Sequence, residues 1–204
     1  MRLTIITFAI GTHVDSRETP SMELRPVTPH DIADVLQLQA ASFIGNLSPE
    51  DRGGGFVSSA FTRQQLEEIA KDGALVVASE NDRVVGYLCA ASCPYYQQFP
   101  LHAALIRCFP EVRYAGRPLD AYRSFIYGPV CIHRGHRGRG ILIELYQELL
   151  RVLGTRYDLG VALISNDNLP SFAAHVRKLG MTLVGDYEFK GEQFNIVAFK
   201  VPSS

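Results

Sequence analysis

Apolar positions along the chain switch between a spacing of two, a spacing of three to four, and short unbroken runs. Each switch marks an element. Glu23 to Val27 reads as a first strand. Ile32, Val35, Leu36 and Leu38 then fall at helical spacing, with Thr28 as the expected cap, Pro29 at the first helical position and an end near Phe43. Leu66 and Ile69 mark a second helix, opened by a Thr62 and Gln65 capping box and stopped at Gly73. Two strands, 74–79 and 83–91, are joined through Glu80-Asn81-Asp82 and read as a hairpin. A strand rich in aromatic and β-branched residues follows at 125–132, interrupted by Gly128-Pro129. Ile141, Leu142, Leu145, Leu149 and Leu150 predict a strong helix, which Val152, Leu153 and Tyr157 carry to its end. Leu159 to Ile164 is an unbroken apolar run, a buried strand. Pro170 and Ser171 open a last helix that Gly180 ends, and 182–189 with 193–199 form a closing strand pair. The alternation suits a mixed sheet with helices on both faces.

Three stretches lack such periodicity. Residues 1–21 hold an apolar run, Leu3 to Ile10, behind a single Arg2. A secretory signal carries more charge and a longer run, so these residues are expected to form a peripheral or poorly ordered arm, ahead of a single domain over 22–204. Residues 44–59 contain Gly53-Gly54-Gly55 and are expected to form a mobile loop over a substrate cleft or a plain surface loop. Residues 92–123 carry seven aromatic or histidine positions, Tyr95, Tyr96, Phe99, His102, Phe109, Tyr114 and Tyr122, among repeated prolines. A short helix over 101–109 is expected there, within an insertion much longer than a hairpin connection.

The 204 residues suffice for one hydrophobic core, and 47% apolar with 20% charged residues is ordinary globular composition. A formal charge of −1 offers no basic face for nucleic acid, and no apolar stretch is long enough to span a membrane. Cys89, Cys93, Cys108 and Cys131 form no CxxC pair and have no histidine at ligand spacing. Free thiols, a cytoplasmic location and no metal site are the expectation.

The chemistry concentrates between the interrupted strand and the strong helix. His133 to Gly140 is a turn with glycines at 135, 138 and 140 and arginines at 134, 137 and 139. A helix start leaves backbone N–H groups without intrahelical partners and adds partial positive charge. Glycines let that backbone approach a ligand, so the pattern suits a phosphate or pyrophosphate. It is neither a P-loop nor a dinucleotide fingerprint. A basic surface turn with no ligand is the alternative.

Arg137-Gly138-Arg139-Gly140-Ile141-Leu142 resembles the R-x-x-G-x-G/A motif of the GNAT superfamily of acyltransferases, with Leu142 in place of Gly or Ala. The resemblance implies that the backbone of Arg137, Gly138, Arg139, Gly140 and Ile141 wraps the pyrophosphate of acetyl-CoA. A second stretch, Asn168 to Met181, is similar to the family's closing motif. It implies Asn168 and Ser171 as cofactor contacts, but Val176 stands where a Tyr is usual before Gly180. His175 fits the histidine-bearing variant if one extra residue lies between it and Gly180. The family fold implied is α/β (α+β): a central mixed, mostly antiparallel sheet of six to seven strands, helices on both faces, and two splayed central strands.

Amide-forming transfer from a thioester needs a neutral amine, a donor for the carbonyl oxygen and a place for the proton. The resemblance implies that the strand Val130-Cys131-Ile132 offers the free backbone groups of Val130 and Ile132 to the pantetheine arm. An N–H near Val130 is a candidate to polarise the thioester. His175 and Tyr127 are the candidate catalytic residues; surface and packing roles are the alternatives. Acyl-cysteine chemistry at Cys131 is disfavoured, because the residue sits inside an apolar strand. The expected function is N-acetyl transfer from acetyl-CoA to a primary amine of a small molecule or amino-acid-like acceptor. A non-catalytic acyl-CoA sensor and a protein N-terminal or lysine acetyltransferase are the competing readings. Fold analogy leaves a homodimer open.

Overall fold

The computed structural model describes residues 22–202. The arm expected at 1–21 lies outside the described residues.

In chain order the strands are β1 Met22–Pro26, β2 Ala74–Glu80, β3 Arg83–Ser92, the short pair β4 Arg113–Tyr114 and β5 Arg117–Pro118, then β6 Ser124–Ile132, β7 Leu159–Ser165, β8 Thr182–Phe189 and β9 Glu192–Lys200. The helices are α1 Ile32–Ser42, α2 Pro49–Arg52, α3 Arg63–Asp72, α4 Cys93–Tyr96, α5 Pro100–Arg107, α6 Ile141–Leu153 and α7 Leu169–Ala173. Seven strands form one sheet in the order β1-β2-β3-β6-β7-β9-β8. Every pairing is antiparallel except β6 with β7. Among the described residues no helix is long and apolar enough to cross a membrane.

Both faces of the sheet are buried, and the period of two along the strands divides the core. Leu75 and Val77 pack with Ile32, Val35, Leu66 and Ile69 of α1 and α3. Ala74, Val76 and Ala78 pack with Ile141, Leu145, Leu149 and Leu153 of α6. Each such leucine or isoleucine contributes about 1.5–3 kcal/mol by burial. The Thr62–Gln65 capping box forms as expected, with both reciprocal hydrogen bonds.

Three local expectations are corrected. Thr28 does not cap α1. Its N–H and hydroxyl both donate to the Asp31 carboxylate at 2.7 Å, and Arg25 donates to the same carboxylate. The ion pair outcompetes a hydroxyl cap, because a charged acceptor makes the stronger hydrogen bonds. Tyr157 lies beyond α6, which stops at Leu153 with Gly154 as its cap. The stretch 44–59 is not structureless: a 3₁₀ turn, Ile44–Asn46, and α2 lie within it.

The two devices that open the sheet are both in β6. Leu88 pairs with Val130 and Ala90 with Tyr127, so Gly128 and Pro129 together face Cys89 and form a bulge. The Gly128–Pro129 peptide is cis. On its other edge β6 pairs with β7 only from Ser124 to Ile126. Beyond Ile126 the two strands part.

Candidate functional site

The parting of β6 and β7 leaves one edge of β6 without a strand partner. The His133 N–H bonds the Val85 carbonyl on the β3 side. Alternation along the strand therefore turns the N–H and C=O of Val130 and Ile132 toward the open edge. Arg137 Nε donates to the Ile132 carbonyl at 3.0 Å, so of these groups that oxygen already has a partner.

The turn after β6 leads into α6 with Gly138 at φ 80° and Gly140 at φ 90°. A Cβ at either would meet nothing within 4 Å, which leaves the backbone open to a ligand. The N–H groups of Ile143 and Glu144 both return to the Gly140 carbonyl. Those of Ile141 and Leu142 precede the helical ladder, as at any helix start, and carry the positive end of the dipole.

A cleft of about 420 Å³ runs along this edge. Val130, Cys131, Ile132, Arg137, Gly138, Gly140 and Ile141 form one wall. Asn168, Ser171 and His175 form the other, with Lys178 beside them. Ten of the twelve candidate positions therefore line one cleft. Arg139 is elsewhere: its guanidinium binds the Glu80 carboxylate at 2.8 Å, and Arg139 together with His136 holds that carboxyl below its usual range. Tyr127 lines a second cavity instead. Its hydroxyl is buried without a partner, and burial pushes its pKa well up, so it stays a neutral phenol.

The arginines of the turn serve as braces. Arg134 pairs with Asp51 at 2.9 Å, and Arg137 donates to the Gly54 carbonyl. These contacts draw the 48–57 segment over the turn, and Asn168 Nδ2 holds its far end through the Phe56 carbonyl at 2.7 Å. The glycine run therefore reaches the cleft, where Gly54, Gly55, Phe56 and Val57 line it. Sequence reading offered this segment as a loop over a substrate cleft or a plain surface loop, without its anchoring contacts, and it passed over Lys178.

The last helix settles the spacing question. After Ala173 the backbone widens into a π turn, Ala174–Lys178, in which the Leu179 N–H bonds the Ala174 carbonyl. This turn holds one residue more than an α-helix would, and it absorbs the extra residue between His175 and Gly180. His175 is buried, 4% exposed. Its Nδ1 lies 2.7 Å from the Ser171 carbonyl. A carbonyl cannot donate, so Nδ1 carries the proton and Nε2 is bare. Burial holds the imidazole pKa below its ordinary value, against the opposing pull of the Ser171 hydrogen bond.

The second cavity, about 80 Å³, lies on the other side of the parted strands. Phe56, Val57, Val130, Asn168, Ser171 and His175 line both spaces, so the two meet there. Cys131 is poorly placed for nucleophilic chemistry. Its thiol is buried beside the Ser42 hydroxyl at 3.0 Å, and burial pushes its pKa up. All four cysteines are free.

Known proteins share this fold. An N-acetyltransferase from Staphylococcus aureus Mu50 is similar in structure at 16% identity, covering 89% of this chain and 99% of that one, with a TM-score of 0.60. The yncA protein of Salmonella typhimurium, solved with its cofactor acetyl-CoA, is similar at 16% identity over 90% and 96%, with a TM-score of 0.55. The ribosomal-protein-S18-alanine N-acetyltransferase of Escherichia coli follows at 9% identity over 90% and 96%, with a TM-score of 0.56. No protein with a curated description matches the chain by sequence. The model of the acetyltransferase (GNAT) family matches residues 41–181, which is more than half of the chain, and the chain belongs to that family.

Proposed function

We propose that this protein transfers an acetyl group from acetyl-CoA to a primary amine of a small molecule, by direct attack with both substrates bound. The observation that carries the reading is the junction of the two spaces. The cleft beside the open β6 edge and the cavity across the strands meet at Val130 and His175.

Acetyl-CoA, when bound, supplies an acetyl thioester whose carbonyl carbon accepts an amine. The start of α6 and the turn at Gly138 to Ile141 hold its pyrophosphate through backbone N–H groups and the helix dipole. The Val130 carbonyl and the Ile132 N–H bond its pantetheine arm, and Asn168 and Ser171 close the opposite wall. The Val130 N–H, fixed by the bulge, polarises the carbonyl oxygen without reorganising. His175 accepts the amine proton at Nε2, the nitrogen its Ser171 hydrogen bond leaves bare. Its lowered pKa keeps it in that proton-accepting form at neutral pH.

Titration calorimetry with acetyl-CoA, beside a thiol-release assay with a panel of primary amines, tests the reading. Micromolar binding and amine-dependent release of CoA are expected. Binding with no release for any amine would establish the non-catalytic sensor in its place.

A further inference from the structure

The small cavity has a composition that acetyl transfer by itself does not demand. None of its lining residues is Asp, Glu, Lys or Arg. Apolar side chains such as Phe56, Leu101 and Phe194 alternate with neutral polar ones, Ser58, Ser59 and Ser165 among them. A wall of neutral groups offers no carboxylate to hold the ammonium form, and so favours the uncharged amine, which is the nucleophile. It would also leave any second charge on the acceptor unpaired, which is strongly unfavourable.

Two residues of this wall carry buried polar atoms without a partner. Among the described residues three buried side-chain polar atoms lack a hydrogen-bond partner, and two of them, His102 Nδ1 and Tyr127 Oη, belong to residues lining this cavity. His102 comes from α5 of the inserted segment. Its ring is wedged 4.6 Å from the Tyr96 ring and 6.3 Å from that of Phe99, so it has little freedom to turn toward a protein partner. Burial holds its pKa down to about 4, which makes the ring neutral at pH 7, with one donor and one acceptor nitrogen.

Size narrows the class further. A cavity of about 150 Å³ takes benzene, and this one measures about 80 Å³. Its narrow part suits an amine on a short chain.

We propose that the cavity selects a primary amine on a short, unbranched, uncharged carbon chain, and that His102 is the positioning residue that hydrogen-bonds a neutral polar group on that chain. The inference rests on the acetyl-transfer reading above. It places amino acids and polyamines outside the acceptor class, since each carries a second charge close to the amine.

The test is a set of near-isosteric acceptors at saturating acetyl-CoA: 3-amino-1-propanol, n-butylamine, 1,3-diaminopropane and β-alanine. Expected kcat/KM is highest for 3-amino-1-propanol, about tenfold lower for n-butylamine and at least a hundredfold lower for the two charged chains. His102→Phe should erase the preference for 3-amino-1-propanol over n-butylamine without changing the acetyl-CoA Kd, and His102→Gln, which keeps a neutral hydrogen-bonding group, should retain part of it. A binding readout stands beside these: 3-amino-1-propanol alone should shift the NMR signal of a ring proton that disappears in His102→Phe. Efficient turnover of β-alanine or 1,3-diaminopropane, or a preference untouched by His102→Phe, overturns the inference and leaves acetyl transfer standing. Acetyl-CoA binding without transfer to any amine overturns both.

Discussion

The Nδ1–H of His175 donates to the Ser171 carbonyl oxygen across 2.7 Å, which makes Nε2 the one basic nitrogen of a buried ring at the junction of the two spaces. General-base assistance of this kind is worth about 10²–10⁴-fold. His175→Ala should lower kcat by at least about a hundredfold while the acetyl-CoA Kd stays within about threefold. In the wild type kcat should rise with pH and level off, because the base works deprotonated, with a midpoint below the ordinary imidazole value. The variant should lack that rising limb. An unchanged limb in His175→Ala would mean that the titrating group lies elsewhere.

Arg137 ties two distant carbonyls, Ile132 at the end of β6 and Gly54 in the strap, to one guanidinium. Arg137→Ala removes charge-assisted hydrogen bonds worth about 1.5–3 kcal/mol in such settings. About a tenfold or greater loss of acetyl-CoA affinity should follow, read by calorimetry. Arg139 sits in an exposed pair with Glu80. Exposed pairs contribute about 0–1 kcal/mol, so Arg139→Ala should leave the Kd within about twofold. Because Arg134 and Arg139 already face carboxylates, the affinity should also depend only weakly on salt.

Tyr96, fully buried in α4, donates its hydroxyl proton to the Gly128 carbonyl at 2.6 Å and so fastens the insertion to the bulge of β6. Tyr96→Phe leaves that carbonyl without its donor, at a cost of about 1–3 kcal/mol. Urea unfolding should show a lower midpoint at unchanged slope, because the surface exposed on unfolding is the same. An unaltered midpoint would show that the insertion is held by packing alone.

His102 binds its proton less readily in the folded protein, near pH 4, than in the unfolded chain, near 6.5. Between these values the unfolded chain takes up the extra proton, so stability is full above about pH 6.5 and falls as the pH drops toward 4. Each pH unit across that interval is worth about 1.4 kcal/mol, which brings the loss to about 3 kcal/mol. His175 adds to it in the same direction. Denaturant unfolding from pH 7 to pH 4.5 should show this decline, and His102→Phe should flatten it.

The order of elements was legible in the chain because it depends on local spacing. The Thr62 capping box, the β2–β3 hairpin and the glycine turn before α6 each involve residues a few positions apart, and the structure contains all three. The count of residues between His175 and Gly180 announced one too many for a regular helix, and the π turn is how the backbone accommodates it. Local spacing could not tell which partner a side chain meets. Thr28 had the position of a cap, yet Asp31, held by Arg25, took its donors. The arginines of the turn had the composition of a phosphate grip, yet their nearest partners are Asp51, Gly54 and Glu80, more than fifty positions away. His102 and Tyr127 become neighbours of one cavity only because β6 and β7 part beyond Ile126 and the insertion folds back over the gap. The sequence by itself determined the elements and the glycine turn before α6, since those follow from periodicity and backbone freedom within a few residues. The tertiary structure alone decided which charges are neutralised, which polar atoms stay unpaired and how large the cavity across the strands is, since those depend on distances between segments far apart in the chain.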